Sequence, residues 1–237
     1  PKIAKLYKNP LTKWIVLKTV KTKLISTMGG CIRFFGIGGA PLDETVWDFL
    51  YSCHFPYALG YGLTETSPLI AGCGPKHKMH KKGYIGKPVK HDHVILLNKN
   101  EDGVGEIAVK GPNVMTGYYN NEALNKEVFT EDGYFKTGDL GYLDKHGYLS
   151  IRGRVKTMIL GPAGENIYPE SIESLINNME FVQESLVVPG DGGLVALIKI
   201  DLEAMQEKLK ISATDVKDEA EKYLVKLKKS VNEQLST

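Results

Sequence analysis

The fold class is decided by residues 32–42, which read IRFFGIGGAPL. The apolar run at residues 32–37 predicts a short buried strand, and the Gly-Gly-Ala-Pro turn after it leads into a helix expected over residues 43–51. A second strand candidate lies at residues 55–59. Strand, helix and strand in this order predict a βαβ-like unit with a parallel sheet, so we expect an α/β fold in the first part of the chain.

The segments on either side of this unit predict further elements. Residues 11–28 carry an imperfect apolar stripe that is typical of a helix, and Gly29-Gly30 ends it. Between residues 72 and 151, glycines recur between brief apolar runs. This texture predicts short antiparallel strands, arranged as a small barrel-like subdomain or a distorted sheet.

Beyond about residue 154 strands and helices alternate again, which indicates an α+β part. Pro169 is expected to open a helix, since proline is favoured at the first helical position. Two apolar runs flank residues 189–193, PGDGG, and predict a hairpin. A clean apolar stripe from Val216 to Leu235 predicts a long helix with one face packed on its own sheet.

Composition is that of a soluble globular protein. The chain has 237 residues, 42% of them hydrophobic and 24% charged, and no apolar run approaches the roughly 20 residues that span a bilayer. The first residue is Pro1 and no secretory pattern follows it, so we expect an internal segment of a longer cytoplasmic protein. Three cysteines, Cys31, Cys53 and Cys73, lack C-x-x-C spacing, which favours a reducing compartment.

The formal net charge of +2 combines two parts of opposite sign. Residues 1–100 carry 15 Lys and Arg against 5 Asp and Glu, and residues 101–237 carry 15 against 23. A basic front part can attract phosphate-bearing ligands, nucleic acid or an anionic membrane surface. The alternative is a solvated face, or one covered by another part of the protein. Aromatic and basic residues do not interleave as in RNA-binding segments, so nucleic acid is not an expected partner.

Two loops at predicted strand ends suit nucleotide chemistry. Residues 38–41, GGAP, would let a flat ring pack against bare backbone, although tight turns also need glycine. In residues 61–66, YGLTET, a tyrosine can stack on a base, a threonine can donate to phosphate and a glutamate can bind Mg²⁺. The alternative for this second loop is a polar turn whose threonines cap a helix.

Two later segments contain further candidates. Asp139, in Thr137-Gly138-Asp139, has the acceptor geometry to take both ribose hydroxyls, although an aspartate after glycine is also common in turns. Residues 151–161, IRGRVKTMILG, combine cations suited to phosphate with glycines that permit movement. The alternative for that segment is a basic strand followed by a hairpin turn.

In this order and at these intervals, the four motifs resemble the adenylate-forming acyl-CoA synthetase superfamily, and within it the bacterial long-chain fatty-acid–CoA ligases. The resemblance runs from about Cys31 to Ser174, with weaker support to Leu235. Residues 161–169, GPAGENIYP, favour the long-chain ligases over the amino-acid-activating domains of peptide synthetases. The resemblance implies an enzyme that uses ATP and Mg²⁺ to convert a fatty acid into an acyl-adenylate, then transfers the acyl group to coenzyme A and releases AMP.

The resemblance also implies roles for individual residues. It assigns nucleotide binding to Gly39, Ala40, Pro41, Tyr61, Gly62, Thr64, Asp139, Ile151 and Arg154. The glycine turn would line the adenine pocket opposite Tyr61, Thr64 would contact the α-phosphate, and Asp139 would hold the ribose hydroxyls. Arg154 would reach the ribose or phosphates, with Ile151 packed nearby. The implied catalytic residues are Thr64, the Mg²⁺ ligand Glu65, and Lys156 at a hinge between a large and a small domain.

The implied domains are residues 1–153, the C-terminal part of a large adenylate-binding domain, and residues 154–237, a truncated small domain. The first divides into an α/β piece, residues 1–71, and a β subdomain, residues 72–153. Two family elements are outside the sequence: a Ser/Thr/Gly-rich phosphate loop before these motifs and a catalytic lysine expected beyond Thr237. We therefore expect a fragment that is inactive by itself.

Several alternatives stay open at this point. The enzyme can instead be a fatty acyl-AMP ligase that loads a carrier protein, or the chain can be a non-catalytic nucleotide-binding module. Tyr134 stands where such ligases often have tryptophan, which leaves acyl-chain selectivity open. Peripheral attachment to the inner membrane face is compatible with the basic front part. Solvated loop positions are expected for His77, His80, His91 and His93, which lie among lysines without cysteine or carboxylate partners.

Overall fold

The computed structural model describes residues 10–161, 164–191, 193–212 and 214–235, and the expected mixed α/β fold class is confirmed. No helix among these residues is long and apolar enough to cross a bilayer. The chain divides into two compact units, Pro1–Ile151 and Arg152–Thr237. Three predicted features lie partly outside the described residues. They are the segment 161–169 at Pro162-Ala163, the hairpin turn 189–193 at Gly192, and the small domain 154–237 at Thr237.

The first unit begins with the helix and the βαβ arrangement that the sequence predicts. Its elements are helix α1 Pro10–Thr27, strand β1 Phe35–Ile37, helix α2 Glu44–Ser52 and strand β2 Tyr57–Gly62. Strands β1 and β2 are parallel, with Phe35 opposite Tyr57. The Asp43 carboxylate accepts a 3.0 Å hydrogen bond from the Val46 amide and so caps the start of α2.

Strand β2 also pairs antiparallel with β3, Leu69–Cys73, which in turn pairs with the short β4, Lys87–Pro88. The sheet order is β1-β2-β3-β4, so only the first pair is parallel. One buried cluster joins α2 to β2 and β3 and consists of Trp47, Leu50, Cys53, Phe55, Tyr57, Leu59 and Cys73. This packing holds the first half of β2, from which Tyr61 and Gly62 continue to the end of the strand.

The second sheet, which lies in the first unit except for residues 152–154 at the end of its last strand, is open. Its strands are β5 His93–Leu97, β6 Gly105–Lys110, β7 Phe135–Leu143 and β8 Leu149–Arg154, in that order, with helix α3 Glu122–Val128 between β6 and β7 in the chain. Ile107, Val109 and Leu149 are completely buried in its core together with Ile70 of β3. Of the two expected arrangements, a barrel-like subdomain or a distorted sheet, the structure has the open sheet, because no pairing of β5 with β8 closes it in the described residues.

The second unit forms its own core. It contains strands β9 Ile159–Leu160, β10 Asn166–Ile167, β11 Val182–Gly190 and β12 Gly193–Ile200, with helices α4 Pro169–Asn177, α5 Leu202–Leu209 and α6 Val216–Leu235. Strands β11 and β12 form the predicted hairpin, and Pro169 opens α4 as expected. The apolar stripe of α6 buries Leu227 and Val231 against Ile176 of α4 and Val187 of β11.

The prediction of solvated histidines is wrong at His80. Its ring is only 9% exposed and lies almost parallel to the buried Tyr57 ring, with 4.1 Å between the centroids. Burial lowers the pKa of His80, because the charged ring would lose its hydration there. His91 and His93 are exposed, as expected.

Candidate functional site

The loops that follow β1 and β2 leave the same edge of the first sheet, because the two strands are parallel. A Cβ atom at Gly38 would lie 2.9 Å from the Gly60 carbonyl oxygen, so the turn after β1 lies against the backbone of β2. Gly39 has a φ of +86°, which glycine adopts without steric cost. Since Gly39, Ala40 and Pro41 are all exposed, the turn presents bare backbone beside β2.

Tyr61 and Asp139 meet through a side-chain hydrogen bond. Strand β2 runs three residues beyond the predicted strand and carries Tyr61 and Gly62 at its end. The Tyr61 hydroxyl donates to Oδ2 of Asp139 over 2.7 Å. Asp139 lies in β7 and is 5% exposed. The fold thus brings together two residues that the sequence resemblance assigns to one nucleotide.

The backbone around Asp139 departs from a regular strand. Gly138 has a φ of +74°, and the pairing register between β6 and β7 shifts at this point. The Thr137 hydroxyl donates to the Ile107 carbonyl over 2.8 Å and accepts from the Asp139 amide over 3.1 Å. The Thr-Gly-Asp motif is therefore a bulge inside β7, a feature that re-aims a side chain out of the normal alternation.

The two threonines after β2 have different environments. They belong to the 3-10 helix Thr64–Thr66. Thr66 is completely buried, and its hydroxyl donates to the Pro68 carbonyl over 2.6 Å and accepts from the Leu63 amide over 3.0 Å. Thr64 is exposed at the start of the same turn. The capping role therefore falls to Thr66, which leaves the exposed Thr64 as the phosphate candidate.

Glu65 is half-buried and is held through both its side chain and its main chain. Its Oε1 accepts a 2.8 Å hydrogen bond from the Tyr118 hydroxyl, and its carbonyl accepts a 2.8 Å bond from the Met115 amide. The bond to the carboxylate raises the pKa of Tyr118, because the phenolate would be repelled there. Sequence reasoning missed Tyr118, since nothing around it distinguishes it among the 12 tyrosines of the chain.

The chemistry of Glu65 fits a magnesium ligand. Proteins usually hold Mg²⁺ through one or two carboxylates together with substrate phosphates and water, and not in an all-protein cage. Within the described residues, no group of three or more His, Cys, Asp or Glu side chains is placed to hold a metal. A single carboxylate beside a phosphate candidate is therefore the arrangement that suits Mg²⁺ with a nucleotide.

The other candidates lie at the end of the first unit or in the second. Ile151 is partly buried and packs on the same cluster as Tyr61. Arg154 and Lys156 are exposed and belong to the second unit. Their segment turns sharply, since the Met158 amide donates to the Arg154 carbonyl over 3.1 Å. The group formed by the β2 loop and Asp139 is thus built from the first unit alone.

Known proteins share this sequence pattern. Residues 7–119 match the family model described as AMP-binding enzyme. The 2-succinylbenzoate–CoA ligase of Bacillus licheniformis is 37% identical over 178 residues, which cover 72% of this chain and 37% of that protein. The long-chain-fatty-acid–CoA ligase FadD15 of Mycobacterium bovis is 37% identical over 191 residues, which cover 80% of this chain and 30% of that protein.

A solved structure has the same fold. It is the O-succinylbenzoate coenzyme A synthetase of Bacillus subtilis in complex with ATP and a magnesium ion, with a TM-score of 0.65 and 34% identity over 78% of this chain and 40% of that chain. This chain spans well under half the length of the relatives it matches. The resemblance inferred from the motifs is confirmed: the chain contains an AMP-binding enzyme family domain, and its homologues are CoA ligases of the adenylate-forming superfamily.

Proposed function

We propose that this chain provides the nucleotide-binding part of an ATP-dependent acid–thiol ligase, which makes an acyl-adenylate and passes the acyl group to coenzyme A. The observation that carries the proposal is the Tyr61–Asp139 pair, in which the Tyr61 ring at the end of β2 lies beside the buried Asp139 carboxylate of β7. An aromatic ring stacks on adenine, and a carboxylate accepts from both ribose hydroxyls. AMP or ATP is therefore the proposed ligand of the first unit.

The neighbouring loops complete the proposed nucleotide site. The exposed backbone of Gly39, Ala40 and Pro41 packs on the face of the adenine ring opposite Tyr61. In the other loop, which follows β2, Gly62 permits close approach to Pro68, since a Cβ atom at Gly62 would lie 1.7 Å from the Pro68 carbonyl oxygen. The loop can therefore lie flat beside the base, as nucleotide-binding turns require.

The phosphate side of the site belongs to Thr64 and Glu65. The hydroxyl of the exposed Thr64 donates a hydrogen bond to the α-phosphate, and the Glu65 carboxylate holds Mg²⁺. A bound Mg²⁺ neutralises charge on the phosphate oxygens. The residues of the chain orient the α-phosphate for in-line attack by an oxygen of the acid, and the bond from the α-phosphorus to the bridging oxygen breaks as pyrophosphate leaves with the electron pair. The thiolate of coenzyme A then attacks the acyl carbonyl, and AMP leaves.

We also propose that Lys156 is a hinge between residues 1–153 of a large domain and residues 154–237 of a small one. The boundary between the two compact units, after Ile151, supports a division in this region. Lys156 is exposed in a tight turn, and the neighbouring Arg154 is the cation that can reach ribose or phosphate. A hinge suits the chemistry, because adenylation and thioester formation need different groups around one adenylate.

The acid that we propose is a long-chain fatty acid. The stretch at residues 161–169 and the similarity to long-chain ligases support this choice, and 2-succinylbenzoate is the competing candidate because of the Bacillus relatives. ATP–pyrophosphate exchange by the whole protein that contains this chain tests it, with palmitate and 2-succinylbenzoate compared at equal concentration. Faster exchange with palmitate supports the fatty acid, and exchange with 2-succinylbenzoate alone contradicts it.

The proposed location is the cytoplasm. Cys31, Cys53 and Cys73 all have free thiols, which suits a reducing compartment. The basic residues of the first 100 positions support peripheral contact with the anionic inner membrane face. Fractionation of cells at low and high salt tests both statements, since a peripheral protein moves from the membrane to the soluble fraction as salt screens the attraction.

The nucleotide site is tested by calorimetric titration of this chain with AMP, which needs no metal. Replacing Asp139 by alanine removes the proposed acceptor of two ribose hydroxyls, so we expect AMP affinity to fall about tenfold or more. The matched control is Asp132→Ala, which removes an exposed carboxylate from the turn before β7. Equal AMP affinity in the Asp139→Ala variant and the unsubstituted chain would contradict the ribose assignment.

A further inference from the structure

One segment of the chain holds Glu65 at two points. The Tyr118 hydroxyl donates to the Glu65 carboxylate and the Met115 amide donates to the Glu65 carbonyl, each over 2.8 Å. Residues 113–118, here named the strap, therefore fix the side chain and the main chain of Glu65 together. A carboxylate held in this way has fewer orientations available than one on an unrestrained exposed turn.

The strap also holds the residue after Glu65. The Asn113 side-chain Nδ2 donates to the Thr66 carbonyl over 2.8 Å and to the Leu69 carbonyl over 2.9 Å. Thr66 is completely buried, so this contact anchors the strap on a part of the 3-10 helix that cannot shift independently. The strap thus follows the helix from its middle to its end.

Tyr118 is in turn fixed by helix α3. Asn125 Oδ1 accepts from the Tyr118 amide over 2.7 Å, and Asn125 Nδ2 donates to the Tyr118 carbonyl over 2.9 Å. Both backbone groups of Tyr118 are therefore paired with one side-chain amide, as in a strand ladder. Gly117 has a φ of +146°, and a Cβ atom there would lie 3.0 Å from the Asn125 amide group, so a larger residue at 117 would disturb the clamp.

We infer that Tyr118 is a positioning residue for Mg²⁺, which holds Oε1 of Glu65 so that the carboxylate faces the metal–nucleotide complex. This inference rests on the proposed function, because it takes Glu65 as the metal ligand. The physical reason is that groups hydrogen-bonded to a ligating carboxylate set its orientation, and their removal typically weakens metal binding by about 10- to 100-fold. Tyr118 itself does not touch the reacting atoms.

A purely structural role for the Tyr118–Glu65 bond predicts a different result. If the bond only joined the strap to the 3-10 helix, its loss would lower the free energy of unfolding and leave the affinity for metal unchanged in the folded protein. A positioning role lowers metal affinity while binding of metal-free AMP stays the same. Metal affinity and AMP affinity together therefore separate the two roles.

The test uses Mn²⁺ as the probe, followed by electron paramagnetic resonance as this chain is titrated into Mn²⁺ and ATP. Tyr118→Phe keeps the ring and removes only the donor, so we expect Mn²⁺–ATP to bind about tenfold more weakly with AMP affinity unchanged. The matched control is Tyr119→Phe, since Tyr119 is the next residue and is 92% exposed. Asn125→Ala, which frees the backbone of Tyr118, should weaken Mn²⁺–ATP binding in the same direction.

The outcomes are distinguishable. Equal Mn²⁺–ATP affinity in Tyr118→Phe and Tyr119→Phe, with AMP bound normally by both, overturns the positioning role and leaves the proposed nucleotide site intact. A parallel loss of AMP and Mn²⁺–ATP affinity in Tyr118→Phe also overturns it, because the effect is then structural. Failure of the unsubstituted chain to bind AMP overturns the proposed function and this inference with it.

Discussion

The Tyr61 hydroxyl donates a 2.7 Å hydrogen bond to Oδ2 of Asp139, although 78 positions separate the two residues in the sequence. Tyr61 ends β2 of the first sheet and Asp139 lies in the bulge of β7 in the second. Because Asp139 is 5% exposed, its carboxylate depends on protein donors in place of water. The bond therefore links the ring proposed for adenine to the carboxylate proposed for ribose.

The Tyr61→Phe substitution tests this link. The ring remains for stacking, but the Asp139 carboxylate loses one donor, and hydrogen bonds to charged groups contribute about 1.5–3 kcal/mol. We expect AMP affinity, measured by calorimetry, to fall about tenfold. Tyr61→Leu removes the ring as well and should lower affinity further. A double-mutant cycle with Asp139→Ala should give a coupling energy well above zero, and additive effects would show that the bond does not support binding.

Local parts of the fold could be predicted because they depend on neighbours in the sequence. The β11–β12 hairpin, in which Gly190 pairs with Gly193, is predicted because a glycine-rich stretch between two apolar runs is typical of a hairpin. Helix α6 follows from a regular apolar period. The contact between Tyr61 and Asp139 has no local signal, and the residues alone left Asp139 compatible with a turn. Only the resemblance of the motifs as a set indicated that both residues act on one ligand.

The features that escaped prediction depend on contacts between distant segments. The sequence pattern does not predict β7, because Gly138 interrupts its alternation and is typical of a turn. His80 lies among lysines in the sequence, and its burial results from stacking on Tyr57 of another element. Tyr118 contacts the candidate site through a bond to Glu65, 53 positions earlier. Tertiary packing overrides local propensity at each of these points.

Gly62 should be intolerant of any side chain. A Cβ atom there would lie 1.7 Å from the Pro68 carbonyl oxygen, which also accepts from the Leu63 amide and the Thr66 hydroxyl. We expect Gly62→Ala to lower the free energy of unfolding by about 1–3 kcal/mol or more, measured by urea denaturation. In the control Gly36→Ala, the new methyl group meets only the ring edge of Phe34 at 3.2 Å.

That Phe34 ring is 63% exposed and can move aside, so the change in Gly36→Ala should stay within about 0.5 kcal/mol. Equal stability of the two alanine variants would show that the loop after β2 can relax away from Gly62.

Asp144 should make the protein sensitive to acid. Its Oδ2 accepts from Lys81 Nζ over 2.5 Å, and its Oδ1 accepts from the amides of His146 and Tyr148. The bond to Lys81 is the main cause that lowers the pKa of Asp144 from 3.8 to about 2. The unfolded chain therefore takes up a proton first as the pH falls, so this stabilisation is complete above about pH 4 and is lost towards pH 2.

The Asp144→Asn variant keeps the acceptor for the two amides and removes the charge. Its urea midpoint should therefore decline less steeply between pH 4 and pH 2 than that of the unsubstituted chain, although it is lower at pH 6. Lys81→Met removes the opposite partner and should flatten the profile in the same way. If the urea midpoints of all three proteins fell in parallel between pH 4 and pH 2, Asp144 would be excluded as the cause of the acid sensitivity.

Leu227, in the α6 stripe, should be sensitive to truncation. It is 5% exposed and packs in one cluster with Ile176, Val187 and Val231, so Leu227→Ala leaves a cavity that partial relaxation cannot fill. We expect amide hydrogen exchange in α4, β11 and α6 to report a loss of about 2–5 kcal/mol in local stability. Val225→Ala is the control on the same helix, since Val225 is 72% exposed and should change protection by about 0.5 kcal/mol or less. Similar exchange in the two variants would mean that the α6 stripe does not hold the core of the second unit together.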